Sequence, residues 1–149
     1  MLAVETNTKS GIRLVTTSSI KKGTVFHKLT DYQIVPDPTY QTVQLDEQNH
    51  FDELNVLALL NHSCEPNVIV DTTLRECRAI RDIMVGEELN FFYPSTEWDM
   101  ARPFQCQCGS PRCIKFVAGA SYVSDETLSQ YFVNQHILGM KRQCSSEKI

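Results

Sequence analysis

The densest chemistry in this sequence is Cys106-Gln-Cys108-Gly-Ser-Pro-Arg-Cys113, three thiols within eight residues around a Gly-Ser-Pro turn. Such a turn folds the chain back on one point, where thiolates can converge on a soft cation. A closed zinc site takes four ligands, with zinc–sulfur bonds of about 2.3 Å, so a fourth thiol is required. The candidates are Cys64, Cys77 and Cys144. Cys77 alternates within a strand-like run and reads as a small buried hydrophobe, while Cys144 lies in a polar tail. Cys64 follows Asn61-His62-Ser63 in a polar, loop-like stretch and is the preferred ligand.

The second dense segment is Asn61-His62-Ser63-Cys64-Glu65-Pro66-Asn67, small polar side chains with a proline between an apolar lead-in and a β-branched lead-out. Any one of these residues suits a turn. The elements that must hold both segments in place are short. Strand patterns run over Ile12–Val15, Thr24–Phe26, 40–45, Val68–Asp71, Glu76–Ile80 and Glu88–Tyr93, and the apolar run Leu54–Leu60 predicts a buried helical turn delivering the chain to Asn61. Pro36 and Pro38 interrupt the sheet pattern with a loop. Ile20-Lys-Lys-Gly23 and Ile83-Met-Val-Gly86 echo each other, each placing an isoleucine three residues before a turn glycine. Ser124 before Asp125-Glu126 predicts one amphipathic helix with Leu128, Tyr131, Phe132 and Leu138 on its inner face, Gly139 as its stop, and a loose tail from Lys141 onward.

At 149 residues, 42% hydrophobic and 21% charged, the composition fits one globular domain able to bury its own core. No apolar run reaches membrane-spanning length, and the start, MLAVETNTKS, lacks the order of a signal peptide, so an intracellular, soluble protein with no membrane association is expected. A net charge of −4 argues against direct nucleic-acid binding. Residues 29–99 carry fourteen acids against Arg75, Arg78 and Arg81, so the fold could present an acidic face to a cationic ligand.

Taken in order, Gly11-Ile12-Arg13-Leu14 with Ile20–Gly23, then Asn61–Asn67, then Glu87–Tyr93, then the three-cysteine cluster, the chain resembles the SET-domain family of lysine methyltransferases; the order Phe92-Tyr93-Pro94-Ser95-Thr96-Glu97-Trp98, then Phe104 and the cysteines, is most like its compact bacterial and fungal members. The resemblance covers nearly the whole chain. It implies a mostly β fold with short helices, made of several small curved sheets, in which the central motif is threaded into a pseudoknot beside the tyrosine strand. Residues 1–100 would form the SET domain, and 101–149 the zinc-binding post-SET segment and C-terminal helix.

The same resemblance implies the site. Gly11, Ile12, Arg13, Asn61, His62 and Tyr93 would hold S-adenosylmethionine, with Phe104, Ile114 or Phe116 covering its adenine. Cys64, Cys106, Cys108 and Cys113 would bind Zn2+ and fold the post-SET segment over the cofactor. Tyr93 would be the catalytic tyrosine. Phe91, Tyr93 and Trp98 would line the substrate channel, a phenyl ring at Phe91 favouring di- or trimethylation. Arg13 stands where the family has a second glycine that lets backbone approach the cofactor. The implied function is methyl transfer to an amine, foremost lysine in a basic protein or peptide. The alternatives are a SET-like enzyme turned to a small metabolite, including non-methylating cyclisation, and a non-catalytic zinc-stabilised binding module.

Overall fold

Frequent turns keep every strand short. The computed structural model describes residues 1–8 and 11–147. Within them twelve strands occur in the order β1 (Leu2–Thr8), β2 (Gly11–Thr16), β3 (Val25–Lys28), β4 (Gln33–Val35), β5 (Val43–Gln44) and β6 (His50–Asp52). There follow β7 (Asn61–His62), β8 (Val68–Asp71), β9 (Glu76–Ala79), β10 (Asn90–Phe91), β11 (Phe104–Gln105) and β12 (Phe116–Val117). Two helices, α1 (Asp125–Leu128) and α2 (Gln135–Glu147), close the chain.

The strands form five small sheets: β1-β2, β3-β9-β8, β4-β6-β5, β7-β10 and β11-β12. All pairings are antiparallel except β7 with β10, where Asn61 faces Asn90 and His62 faces Phe91 in parallel register. This contact lays the central polar motif against the strand that leads to Tyr93. The two echoing segments meet each other: Ile20 and Ile83 exchange both backbone hydrogen bonds, at 2.8 and 2.7 Å. Gly23 and Gly86 both turn at φ +88°, a backbone region that favours glycine.

The main core gathers Leu14, Phe51, Leu60, Val70, Ile83 and Leu89 with their neighbours, and Cys77 lies wholly inside it. Phe91 points into this core, while Phe92 points the other way into a second cluster with Ala120, Val123, Leu128 and Ile137. Alternation along a strand thus makes residues 90–93 the seam between the two cores. Glu53, almost fully buried, anchors the turn before β7 by accepting backbone N–H bonds from Val56 (3.1 Å) and Leu57 (2.7 Å), with His27 Nε2 3.3 Å away.

Several sequence expectations about the helices and turns require correction. The single helix from Ser124 is two helices. Ser124 does cap α1, its hydroxyl accepting the Thr127 N–H at 3.2 Å, but the chain leaves the helix after Leu128 and restarts at Gln135. Buried Asn134 forces the break: its side chain accepts from the Thr72 N–H (2.9 Å) and donates to the carbonyls of Val70 (2.8 Å) and Ser95 (2.9 Å). Gly139 does not stop α2, and the expected loose tail is helical to Glu147, while Lys148 and Ile149 lie outside the described residues. The inner face is Leu128 and Ile137, with Tyr131 half-buried; Phe132 and Leu138 are exposed. Leu54 is likewise exposed, so the buried turn is only the 3₁₀ segment Leu57–Leu59 and its flanks.

Candidate active site and metal centre

The parallel pair β7-β10 and the segment through β11 line one cleft, and the hairpin β1-β2 is bonded to its wall. Asn61 bridges two of them, its amide donating to the Ile12 carbonyl at 2.8 Å and to Glu88 Oε2 at 2.7 Å. Deeper in the fold, Asn67 closes the pair from behind. Its Nδ2 donates to the Glu88 carbonyl (2.8 Å), and its Oδ1 accepts the Asn90 N–H (3.0 Å). Asn61, His62, Glu88, Asn90, Tyr93 and Phe104 line the cleft, about 600 Å³ in volume, with the cysteine segment along its rim.

His62 sits among the rings of Phe92, Tyr93 and Phe104, with centroids 5.4–5.9 Å away. Burial lowers its pKa to about 4, so the imidazole is neutral near pH 7. Its Nδ1 accepts the Tyr93 N–H at 3.1 Å, which places the ring proton on Nε2, 3.3 Å from Cys64 Sγ. One histidine thereby fixes the backbone of the tyrosine and donates toward a thiol.

That thiol belongs to a cluster. The sulfurs of Cys64, Cys106, Cys108 and Cys113 all lie within 4.8 Å of one another. A tetrahedron of 2.3 Å zinc–sulfur bonds has edges of about 3.8 Å, and Cys64 and Cys106 are 3.9 Å apart. The donor set and spacing fit zinc. Burial pushes the Cys64 thiol far above its ordinary value, so a cation is what would hold it as a thiolate, with the Ile114 N–H (3.4 Å) and His62 as supporting donors. Cys77, inside the core, and Cys144, on α2, stand apart from the cluster.

Tyr93 opens a 3₁₀ turn directly after β10. Its hydroxyl donates to the Leu60 carbonyl at 2.6 Å, and burial raises its pKa well above the ordinary range. With its proton committed to Leu60, the phenol oxygen offers lone pairs to its surroundings. Tyr93 and Phe104 line the cleft and also a second cavity of about 210 Å³ on the other side, walled by Val43, Leu60, Phe91 and Met100 and containing Glu97.

Other expected residues fall elsewhere. Arg13 faces Glu5 across the hairpin and pairs with it at 2.6 Å on the protein surface, so the residue in place of the second glycine directs its charge to β1. Trp98 packs against the second core and lies under the Lys141 ammonium at 5.8 Å; it is not among the residues lining the two cavities. Phe116 is exposed and lines a separate groove with Ile114 and Tyr122. Glu88 and Glu97, absent from the sequence-derived site, occupy the cleft and the cavity. The signal available for them was that each lies within a few residues of Tyr93, in motif segments whose acidic side chains were given no role.

Comparison with known proteins agrees with this arrangement. The SET-domain family profile matches residues 11–94. The methyltransferase flvH of Aspergillus flavus is 40% identical over 121 residues, 80% of this chain and 68% of that protein. The H3 lysine-36-specific histone-lysine N-methyltransferase of Aspergillus oryzae is 38% identical over 49% of this chain, which spans only 8% of that much longer protein. Among solved structures, KRYPTONITE in complex with mCHG DNA and SAH superposes with a TM-score of 0.62 at 22% identity, covering 77% of this chain and 28% of that one. The methyltransferase domain of human SETMAR superposes at 0.58 with 20% identity, covering 79% and 58%. The described residues contain no helix long and apolar enough to cross a membrane. With the motifs in order, the small sheets in place and the profile covering more than half its length, the chain belongs to the SET-domain family, whose relatives here are methyltransferases.

Proposed function

We propose that this protein transfers a methyl group from S-adenosylmethionine to a substrate amine, foremost a lysine side chain of a basic protein or peptide. The observation that carries this reading is the shared wall: Tyr93 and Phe104 border both the polar cleft and the smaller cavity. A cofactor in the first and an amine in the second would meet beside the Tyr93 hydroxyl. The cleft suits the cofactor because Asn61, Glu88 and Asn90 line it with amide and carboxylate groups that can face an amino-acid moiety and a sulfonium. When bound, S-adenosylmethionine supplies an electrophilic methyl group. The chain's own part is positional. The lone pairs of Tyr93 accept an N–H of the amine and aim its nitrogen, and the apolar walls exclude water, effects that together can lower a transfer barrier by about 7–11 kcal/mol. Zinc on the four cysteines would tie the cleft's rim to Cys64. Phe91, at the cavity wall, leaves room for more than one methyl group.

A second reading keeps methyl transfer and has a small-molecule amine as the substrate in the cavity of about 210 Å³. Calorimetric titration of the zinc-loaded protein with S-adenosylmethionine tests both readings, and incubation with labelled cofactor plus either histones or a panel of small amines separates them. A folded, zinc-loaded protein that binds no S-adenosylmethionine would reject methyl transfer altogether.

A further inference from the structure

Glu97 is an acid in the wall of a cavity whose deeper lining is apolar, with Leu57, Leu60, Phe91 and Met100, and whose other lining includes Thr39, Gln41 and Thr42. It lies one turn beyond Tyr93, its N–H bonded to the Tyr93 carbonyl at 3.0 Å. Its carboxylate is clamped: Oε2 accepts the Gln44 N–H at 2.8 Å, and the side chain of Gln44 accepts the Trp98 N–H, also at 2.8 Å. Gln44 itself is buried. Glu97 is half-buried, and a carboxylate drawn partly out of water is costly unless a cation accompanies it. Among the described residues, no Lys, Arg or His nitrogen lies within 4.0 Å of this one.

The other charged groups nearby are committed elsewhere or share its sign. Arg102, the one cation lining the cavity, stacks its guanidinium on Tyr40 at 5.1 Å. Lys141 sits over Trp98, and His136 Nε2 is bonded to the Thr96 carbonyl at 2.8 Å. Glu88 lies on the cleft side and can only repel, and the Tyr93 hydroxyl, its pKa raised by burial, stays neutral.

We infer that Glu97 is the specificity-determining residue of this cavity, selecting substrates that enter as alkylammonium cations and positioning the ammonium beside Tyr93. The inference deepens the proposed function and rests on its assignment of this cavity to the substrate. A rigid carboxylate in apolar surroundings discriminates strongly between a cation and a neutral group of the same shape, because only the cation compensates for its desolvation. Burial pushes the Glu97 carboxyl up to about 7, against the pull of the Gln44 N–H and the Thr96 side chain. Ammonium binding should therefore strengthen as pH rises through 7, when the carboxylate becomes ionised.

The test needs no cofactor. The zinc-loaded protein, isotopically labelled, is titrated by NMR at pH 8 with n-butylammonium, which carries the four-carbon stem of lysine, and with butan-1-ol as its neutral counterpart. The wild type should bind the cation at least tenfold more tightly than the alcohol, and the carboxyl carbon of Glu97 should titrate at lower pH when the cation is present. Glu97→Gln keeps the acceptor for Gln44 and should abolish the preference while leaving alcohol binding within twofold. Glu97→Asp, which keeps the charge, should retain part of it. Equal binding of cation and alcohol by the wild type, or an unchanged preference in Glu97→Gln, would overturn the inference. A parallel titration with S-adenosylhomocysteine keeps the two claims apart: its failure would sink methyl transfer, while the amine preference alone decides the role of Glu97.

Discussion

Replacing Tyr93 with Phe removes one hydroxyl and almost no volume, yet two separate losses follow from its position. The first is structural. The hydroxyl is the donor to the Leu60 carbonyl at 2.6 Å, and Leu60 is 2% exposed, so the carbonyl is left buried without this partner. An unsatisfied buried acceptor costs about 1–3 kcal/mol, which for a chain of this size lowers the melting temperature by roughly 2–12 °C. The second loss is chemical. Without the oxygen lone pairs, nothing at this position aims the amine, and deletion of one preorganised polar group typically slows turnover about 100- to 1000-fold, or about 3–4 kcal/mol. Scanning calorimetry reads the first loss. Single-turnover transfer from labelled S-adenosylmethionine to histones or a small amine, run well below the melting temperature, reads the second. The cofactor affinity of the variant should stay within a few-fold of wild type. A Tyr93→Phe protein that melts early but transfers methyl at the wild-type rate would refute the catalytic assignment and leave Tyr93 as a packing residue with a structural hydrogen bond.

Elemental analysis should find one zinc per chain, and Cys106→Ser or Cys108→Ser should release it, whereas Cys77→Ser and Cys144→Ser should retain it. Asn61→Ala loses the bonds to Ile12 and Glu88 at the cleft surface, so calorimetry should show S-adenosylmethionine affinity falling at least tenfold with under about 1 kcal/mol lost in denaturant stability. Gly119→Ala should be the most damaging small change. Gly119 has φ +117°, and an added Cβ would meet the Trp98 carbonyl oxygen at 2.4 Å, so urea unfolding should show a loss of about 3 kcal/mol or more. For Asp71, burial pushes the carboxyl up, but the Leu74 N–H and Arg78 outweigh it and hold the pKa below the ordinary value. Its contribution is thus present above the ordinary carboxylate range and lost as pH falls through the depressed value. Asp71→Asn should flatten the acid side of the stability–pH curve measured by denaturant titration.

Legibility from sequence followed the range of the interactions. The four-cysteine cluster was readable because three of its thiols and their turn are adjacent in the chain, and only Cys64 had to be chosen among distant candidates. The strands Val68–Asp71 and Glu76–Ala79 were readable because they pair with each other across a short turn. β1 escaped notice because Leu2–Thr8 mixes polar and apolar residues without a clean alternation, and its pairing partner supplies the order. The break between α1 and α2 depends on Asn134 reaching Thr72 and Val70, more than sixty positions away, which no local periodicity records. Glu97 falls in an acidic stretch and in the run after Tyr93, with no role of its own legible there. Its meaning comes from the Gln44 clamp and the cavity wall, both products of tertiary packing.

The parallel pairing of β7 with β10 also governs when the site can exist. Asn61 holds Ile12 from 49 positions away, Tyr93 holds Leu60 across 33, and Cys64 meets Cys106 across 42. Each contact closes a long loop before it contributes stability, so the chain has no short-range nucleus around which the site can form early, and folding should be slow for its size. During synthesis, Asn61 and Cys64 emerge well before Tyr93 and Cys113, and they must wait, partly solvated, for the strand and thiols that complete them. The cleft, the cavity and the metal centre therefore arise together in one late step. Variants that weaken the seam between the two cores should lower the yield of folded protein more than the specific activity of the molecules that succeed.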